Sequence, residues 1–372
     1  MNDKGCSEET LFEFLSGKKG EDMDPSRILS SMCTAPHPVA VRAHMMFIET
    51  NLGDPGLFRG TSSLEQMLIG RLGSLFSLPE ASGYATSGGT ESNIQALRMA
   101  KTLAEKGHPN VVLPESAHFS FKKACDILCM EMRAVPVDDE FRIDIECAKE
   151  VIDDQTCCLV GIAGTTEYGV VDPIPALSDI AVDSGIFLHV DAAFGGMVLP
   201  FMDDHTPFDF SLPGVSSLAV DPHKMGISTI PAGCLIVRES EFISSLSIDT
   251  PYLTVKQEFT LSGTRPGAPV AGALAVLEYL GREGMRAVVH GCMKNTCRLI
   301  DGMETFGFRR VVTPEVNVAT FLPREIPAPW QASWTRRGHL RIVCMPHVTA
   351  GVIESFLEDI GEKYAGKTGK IT

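Results

Sequence analysis

Three short stretches carry residue types that could do chemistry together: "ATSGGTESN" (85–93), "HVDAAFGG" (189–196) and "DPHKMG" (221–226). In the last, Lys224 stands between the apolar residues Leu218–Val220 and a run of small residues. An amine so placed is either a lysine reaching for water or a nucleophile. In the second, Ile186–Val190 reads as an apolar strand with Asp191 at its end. A buried carboxylate is costly unless paired. Asp191 therefore caps a helix, joins a salt bridge or holds a cationic nitrogen, and Ala192 and Ala193 leave room for a flat ring beside it. In the first, Gly88 and Gly89 let the backbone approach a ligand and Thr90 starts a helix. Free N–H groups and the helix dipole there favour an anion, with Ser87 and Thr90 adding hydroxyls. An ordinary threonine cap is the alternative. A phosphate cradle, an acid for a ring nitrogen and a buried lysine are together what pyridoxal 5′-phosphate requires. Lys224 would hold its aldehyde as an imine, in a dry, partly cationic site expected to lower the amine's pKa. Asp191 would keep the pyridine nitrogen protonated. Neither a Walker loop nor a strand-following G-x-G-x-x-G occurs, so ATP and NAD are poorly supported.

These residues must be held by alternating elements. Helices at 90–106, 119–128, 144–153 and 174–184 each lead to a short apolar strand, at 111–113, 131–136, 157–163 and 186–191. Strands at 218–221 and 234–237 follow. Strands apolar throughout, alternating with helices, imply a parallel sheet covered on both faces, with the site at the strands' C-terminal ends. The chain before it contains a helix ending near Gly17, an extended Pro36-His37-Pro38 and a helix at 64–77 with Leu64, Leu68, Leu72 and Leu75 on one side. From about Pro269 the pattern changes to a long helical region (270–306), strands at 316–321 and 339–343, and a last helix at 349–363. The expected organisation is an N-terminal arm (1–50), a large cofactor-binding domain (51–268) and a small C-terminal α+β domain (269–372).

A chain of 372 residues exceeds the usual single core. A net charge of −15 disfavours nucleic acid and anionic membranes as partners and leaves a small molecule. Eleven cysteines, without C-x-x-C and irregularly spaced, fit a reducing cytoplasm. No metal site is expected. No signal peptide is evident, and the longest apolar candidate for a membrane span, 186–201, is broken by Asp191, Gly195 and Gly196.

"HVDAAFGG" followed by "DPHKMG" resembles the group II pyridoxal-phosphate-dependent amino-acid decarboxylases, most closely the archaeal L-tyrosine/L-aspartate decarboxylases of methanofuran and coenzyme A biosynthesis. Further matching motifs are "CTAPHP" (33–38), "ETNLGDPGLFRGT" (49–61), "SGGTESN" (87–93), "GTTEYGVVDPI" (164–174), "TPYLT" (250–254), "TLSGTRPGA" (260–268) and "LRIVCMPHVT" (340–349). The resemblance implies an α/β chain of the fold type I, aspartate aminotransferase-like class, with a large mixed or parallel sheet. It implies a homodimer with shared sites. By the same resemblance Lys224 bears the cofactor, His223 contacts it, Asp191 meets the ring nitrogen, Ala193 packs under the ring and His118 stacks on its other face. Thr166 lies near the ring hydroxyl, and Ser262 and Thr264 reach the phosphate from the partner subunit. Arg341 meets the substrate's α-carboxylate region, Asn51 and His37 line the substrate pocket, and Tyr252 protonates the carbon that has lost carbon dioxide. From the residues alone, His118 and Tyr252 read equally as loop residues, Thr166 as a turn residue and Arg341 as an inter-strand salt bridge. Arg265 or Arg59 could meet an aspartate side chain. The reaction implied is decarboxylation of L-tyrosine to tyramine or of L-aspartate to β-alanine. L-glutamate, a pyridoxal-phosphate carbon–carbon lyase reaction and a non-catalytic binding protein of the same fold are the alternatives.

Overall fold

A computed structural model of the chain describes residues 3–364. Helices α1 (Glu8–Lys19), α2 (Pro38–Met46) and α3 (Arg59–Leu75) lead in. There follow β1 (Ser82–Thr86), α4 (Gly89–Ala104), β2 (Asn110–Pro114), α5 (Ser120–Leu128), β3 (Glu131–Val135), α6 (Ile145–Val151), β4 (Thr156–Ile162), α7 (Ile174–Ser184) and β5 (Phe187–Asp191). Then come β6 (Val215–Val220), β7 (Gly233–Val237), α8 (Ser240–Ser244) and the short hairpin of β8 (Ile248–Asp249) and β9 (Gln257–Glu258). The chain closes with α9 (Ala268–Thr305), β10 (Val318–Phe321), β11 (Ser333–Trp334), β12 (Leu340–Val343) and α10 (Ala350–Tyr364).

The central sheet has seven strands in the order β1-β7-β6-β5-β4-β2-β3. β3, β2, β4, β5 and β6 pair in parallel, while β7 is antiparallel to both its neighbours. The sheet is thus mixed, and the purely parallel arrangement suggested by alternation alone is corrected at β7. No helix separates β6 from β7, so nothing forces a parallel crossover there. β2, β4 and β7 are buried at every position, which is why they read as unbroken apolar runs. Leu159 and Val160 turn to opposite faces and join different core clusters. A third cluster lies between α10, the C-terminal half of α9 and the sheet β10-β12-β11. Leu29 from the N-terminal region joins it, donating to Gln331 O at 2.7 Å and accepting from Val343 N at 2.7 Å.

Within Pro36-His37-Pro38, His37 has an extended backbone, with φ −59° and ψ 140°, and the extension stops at Pro38. His37 caps α2, its Nδ1 accepting from Val39 N at 3.2 Å, and Pro38 takes the first helical position, where its missing N–H costs nothing. The predicted long C-terminal helix is two helices joined at Gly281, with φ 58° and ψ −171°. All eleven cysteines are free thiols, with Cys157 and Cys158 buried. Among the described residues no helix is long and apolar enough to cross a membrane.

Candidate active site

The C-terminal ends of the parallel strands open into one cleft of about 830 Å³. Its walls hold ten of the predicted residues: Ser87, Gly88, Gly89 and Thr90 after β1, His118 after β2, Thr166 after β4, Asp191 and Ala193 at β5, and His223 and Lys224 after β6. Residues up to 137 apart in sequence are thus brought to one edge of the sheet, the number being the separation of 87 and 224.

The anion cradle is built by close approach. Gly88 has φ +148°, and a Cβ there would lie 3.2 Å from His223 Cε1. A Cβ on Gly89 would come within 2.9 Å of Ala193 Cβ, and one on Gly233 within 2.4 Å of Gly88 Cα. Glycine is required for these three strands' ends to meet. Gly88 is the residue that caps α4, so Thr90 lies inside the first turn and does not act as the cap. The first-turn amides have no partner within the helix and are available to an anion.

Asp191 is buried, and its carboxylate is held on both oxygens. Oδ1 accepts from Ala193 N at 3.1 Å and Oδ2 from Asn93 Nδ2 at 2.9 Å. His118 Nδ1 accepts from Ser120 N at 3.3 Å, which leaves the proton on Nε2. Burial, joined by the Lys224 charge and opposed by Asp191, holds the His118 pKa below the ordinary histidine value. A neutral imidazole therefore faces the cleft. Thr165 takes the turn hydrogen bonds, its Oγ1 accepting from Val170 N at 3.2 Å, and Thr166 is the threonine on the cleft wall.

Lys224 Nζ lies 3.1 Å from Asp221 Oδ2. Asp221 is only 2% exposed, and its Oδ1 is buried without a partner. Burial works to lower the Lys224 pKa, but Asp221 and then Asp191 outweigh it and hold the amine above the ordinary lysine value. The expected lowering is corrected: the carboxylates, not a cationic surrounding, dominate this amine. Asp221 was not singled out from the sequence, although its i, i+3 spacing to Lys224 is visible in "DPHK". Asn93 and Ser116 also line the cleft unforeseen.

The other predicted residues lie outside this cleft. Arg341 is buried on β12, directly behind Thr166. Its Nε donates to Thr166 O, and its Nη1 to Ser30 O at 3.1 Å and Ser333 Oγ at 2.9 Å. Its Nη2 has no partner, and burial lowers its pKa to about 10. The salt-bridge alternative for Arg341 is absent among the described residues: its hydrogen bonds go to carbonyls and a hydroxyl. A second arginine of the C-terminal layer, Arg336, donates to Glu115 O and to Ala117 O at 3.0 Å, holding the loop that carries His118. Asn51 Oδ1 accepts from Gly53 N at 2.8 Å and Arg265 N at 3.2 Å, so its acceptor serves a turn, and His37 serves the α2 cap. Arg265 pairs with Glu65 at 2.5 Å and donates to Ala85 O, so it is not a spare cation. Ser262 and Thr264 are exposed on the segment before α9, and Tyr252, in the β8–β9 turn, is 85% exposed.

These groups fit pyridoxal phosphate. The glycine cradle admits an anion where a Cβ would fill the space, Asp191 presents an anchored acceptor, and Lys224 brings an amine to the same cleft.

Residues 60–321 match the pyridoxal-dependent decarboxylase conserved domain. A probable L-tyrosine/L-aspartate decarboxylase of Methanoregula boonei is 67% identical over 98% of this chain and 100% of its own length. A probable L-aspartate decarboxylase of Archaeoglobus fulgidus is 49% identical over 94% of this chain and 98% of its own. A sphingosine-1-phosphate lyase of Burkholderia pseudomallei superposes with a TM-score of 0.89 at 25% identity, covering 98% of this chain and 92% of that one. With the domain matched across most of its length, and with relatives this similar from end to end, the chain belongs to the pyridoxal-dependent decarboxylase family.

Proposed function

We propose that this chain removes the α-carboxylate of L-tyrosine or L-aspartate, with pyridoxal phosphate held by the residues of the β1, β4, β5 and β6 ends. One observation carries the reading: Lys224, Asp191, His118 and the Gly88–Thr90 turn share a single cleft. Bound there, the cofactor supplies an aldehyde that condenses with amines and a ring that accepts the electron pair left when carbon dioxide departs. Lys224 brings its amine to that aldehyde, and Asp221 Oδ2, at 3.1 Å, orients it. Asp191 offers an anchored oxygen to the ring nitrogen. The neutral His118 ring supplies a flat face, and the Gly89 and Thr90 amides supply donors to the phosphate.

The orphan Nη2 of Arg341 supports this residue as the anchor for the substrate's α-carboxylate, one wall behind Thr166. The names of the similar proteins, a probable L-tyrosine/L-aspartate decarboxylase and a probable L-aspartate decarboxylase, support both L-tyrosine and L-aspartate as substrates.

A homodimer with shared sites completes the reading. Leu11, Phe12, Phe14 and Leu15 of α1 and Met45 and Met46 of α2 are all exposed, an apolar surface that a second copy would cover. Ser262, Thr264 and Tyr252 are then presented to the partner's cleft. The cysteine content supports a reducing, cytoplasmic location.

The test is product analysis with L-tyrosine, L-aspartate and L-glutamate side by side, in wild type and Lys224→Ala. Amine and carbon dioxide in equal amounts from one of the first two, lost in the variant, are expected. Carbon–carbon cleavage of a phosphorylated amine, or turnover without Lys224, would overturn the proposal. Borohydride trapping followed by peptide mapping should place the cofactor on Lys224.

A further inference from the structure

Behind the cleft lies a chain of hydrogen bonds that ends on Asp191. His189 precedes Asp191 by two residues on β5, so both side chains leave the same face of the sheet, toward α4. Asn93, one turn into α4, stands between them. Its Nδ2 is 2.9 Å from Asp191 Oδ2 and 2.9 Å from Ser120 Oγ, and its Oδ1 is 2.9 Å from His189 Nε2. His189 Nδ1 lies 2.7 Å from Oγ of Ser217, its register partner on β6. His189, Asn93, Ser120 and Ser217 are buried, and the Phe121 ring closes over the imidazole at 6.1 Å.

The direction of every bond follows from chemistry. A carboxylate oxygen only accepts when ionised, so Asn93 must turn its amide nitrogen to Asp191. Both amide hydrogens are then engaged, one on Asp191 and one on Ser120. The amide oxygen must accept, so His189 carries its proton on Nε2. Nδ1 is left with a lone pair, and the Ser217 hydroxyl donates to it. A neutral imidazole satisfies the whole chain, whereas an imidazolium would make Ser217 turn round. Burial favours the neutral form strongly and takes the His189 pKa down to about 4.

The χ2 torsion of an aspartate is broad and roughly two-fold, so a carboxylate left alone would swing. We propose that Asn93 and His189 are positioning residues: a one-directional chain from Ser217 through His189 and Asn93 fixes the Asp191 carboxylate toward the cofactor's ring nitrogen, and so governs how firmly that nitrogen keeps its proton. The inference rests on the reading of Asp191 as the ring-nitrogen acid. It adds Asn93, on the cleft wall, and His189, buried behind it, as residues that act through Asp191.

The experiment loads wild type, His189→Leu, His189→Gln and Ser217→Ala with pyridoxal phosphate labelled with nitrogen-15 in the ring. The ring nitrogen's chemical shift is followed, along with kcat, KM and cofactor affinity. Wild type should show a protonated ring nitrogen. His189→Leu should move the signal toward the unprotonated position and lower kcat by about tenfold to a hundredfold, with KM changed by less than about twofold. Glutamine, whose amide reproduces one acceptor and one donor, should recover most of the loss, to within about fivefold of wild type. A packing role would instead weaken cofactor binding in both His189 variants and leave the signal of the bound form in place. That result overturns the proposal. Should His189→Leu fail to fold, Ser217→Ala decides: a displaced signal and a kcat about threefold to tenfold lower support the chain, and an unmoved signal with full kcat refutes it. A wild-type spectrum without a protonated ring nitrogen sinks the reading of Asp191 together with the chain, whereas a normal wild type with unmoved variants sinks the chain alone.

Discussion

Lys224→Met strips the cation from a carboxylate that is 2% exposed. In the cofactor-free protein, Asp221 would keep an oxygen already without a partner and lose the amine 3.1 Å from the other. At that separation and an effective dielectric of about 20, the lost attraction is about 5 kcal/mol. Part of it returns, because His223 Nε2 stays 3.8 Å from the same oxygen. Removing one partner of a buried pair costs about 3–5 kcal/mol, and the lower end applies because the Lys224 side chain is 20% exposed. Lys224→Met should therefore destabilise the cofactor-free protein by about 3 kcal/mol. Adding Asp221→Asn removes the stranded charge while keeping the shape, and should recover about 2 kcal/mol of that loss. Urea unfolding of wild type, both single variants and the double variant closes the cycle. Equal stability of Lys224→Met and the double variant, within about 0.5 kcal/mol, would refute the account of Asp221 as this amine's counter-charge.

Asp191→Asn should still bind pyridoxal phosphate but lose on the order of a hundredfold or more in kcat, checked by cofactor titration beside steady-state turnover. Normal turnover in that variant would contradict its role at the ring nitrogen. Tyr252→Phe should continue to release carbon dioxide while forming less amine per carbon dioxide, and an unchanged product ratio counts against Tyr252 as the proton donor. Burial holds His189 at about 4, against about 6.5 for an unfolded chain. The unfolded chain therefore binds the additional proton between those values, and stability present near neutral pH is lost as pH falls through that window. The stability advantage of wild type over His189→Gln should shrink by about 1 kcal/mol between pH values of about 6 and 5, and a constant gap would show that the imidazole is not buried neutral.

The alternation of helices with apolar strands was legible because β2 and β4 are covered on both faces, which fills every position with apolar side chains. The direction of β7 was not, since an antiparallel buried strand has the same composition as a parallel one. β1 escaped notice: "SGYAT" holds one aromatic and no β-branched aliphatic residue, and Gly83 is present because a Cβ would strike Leu235 O at 2.3 Å. At the site, Lys224, Asp191 and the glycine turn could be read because each is an unusual residue for its setting. Asp221 stood in plain view beside Lys224 but resembles any aspartate at a strand end. Asn93 and His189 stand in two separate motifs, 96 residues apart, and nothing in either motif announces the other as its partner. Only the stacking of α4 on β5 puts the two within 2.9 Å.

Arg336 and Arg341 reach from the C-terminal layer to the loops after β2 and β4 and grip them by main-chain carbonyls of Glu115, Ala117 and Thr166. A carbonyl is the one acceptor that every amino acid offers. That part of the grip is indifferent to which side chains those loops carry, and two ion pairs add to it, Arg336 with Glu167 at 2.7 Å and Arg337 with Glu115. Substitutions at the rim of the cleft that spare Glu115 and Glu167 can therefore retune what enters it while the frame that holds it stays anchored.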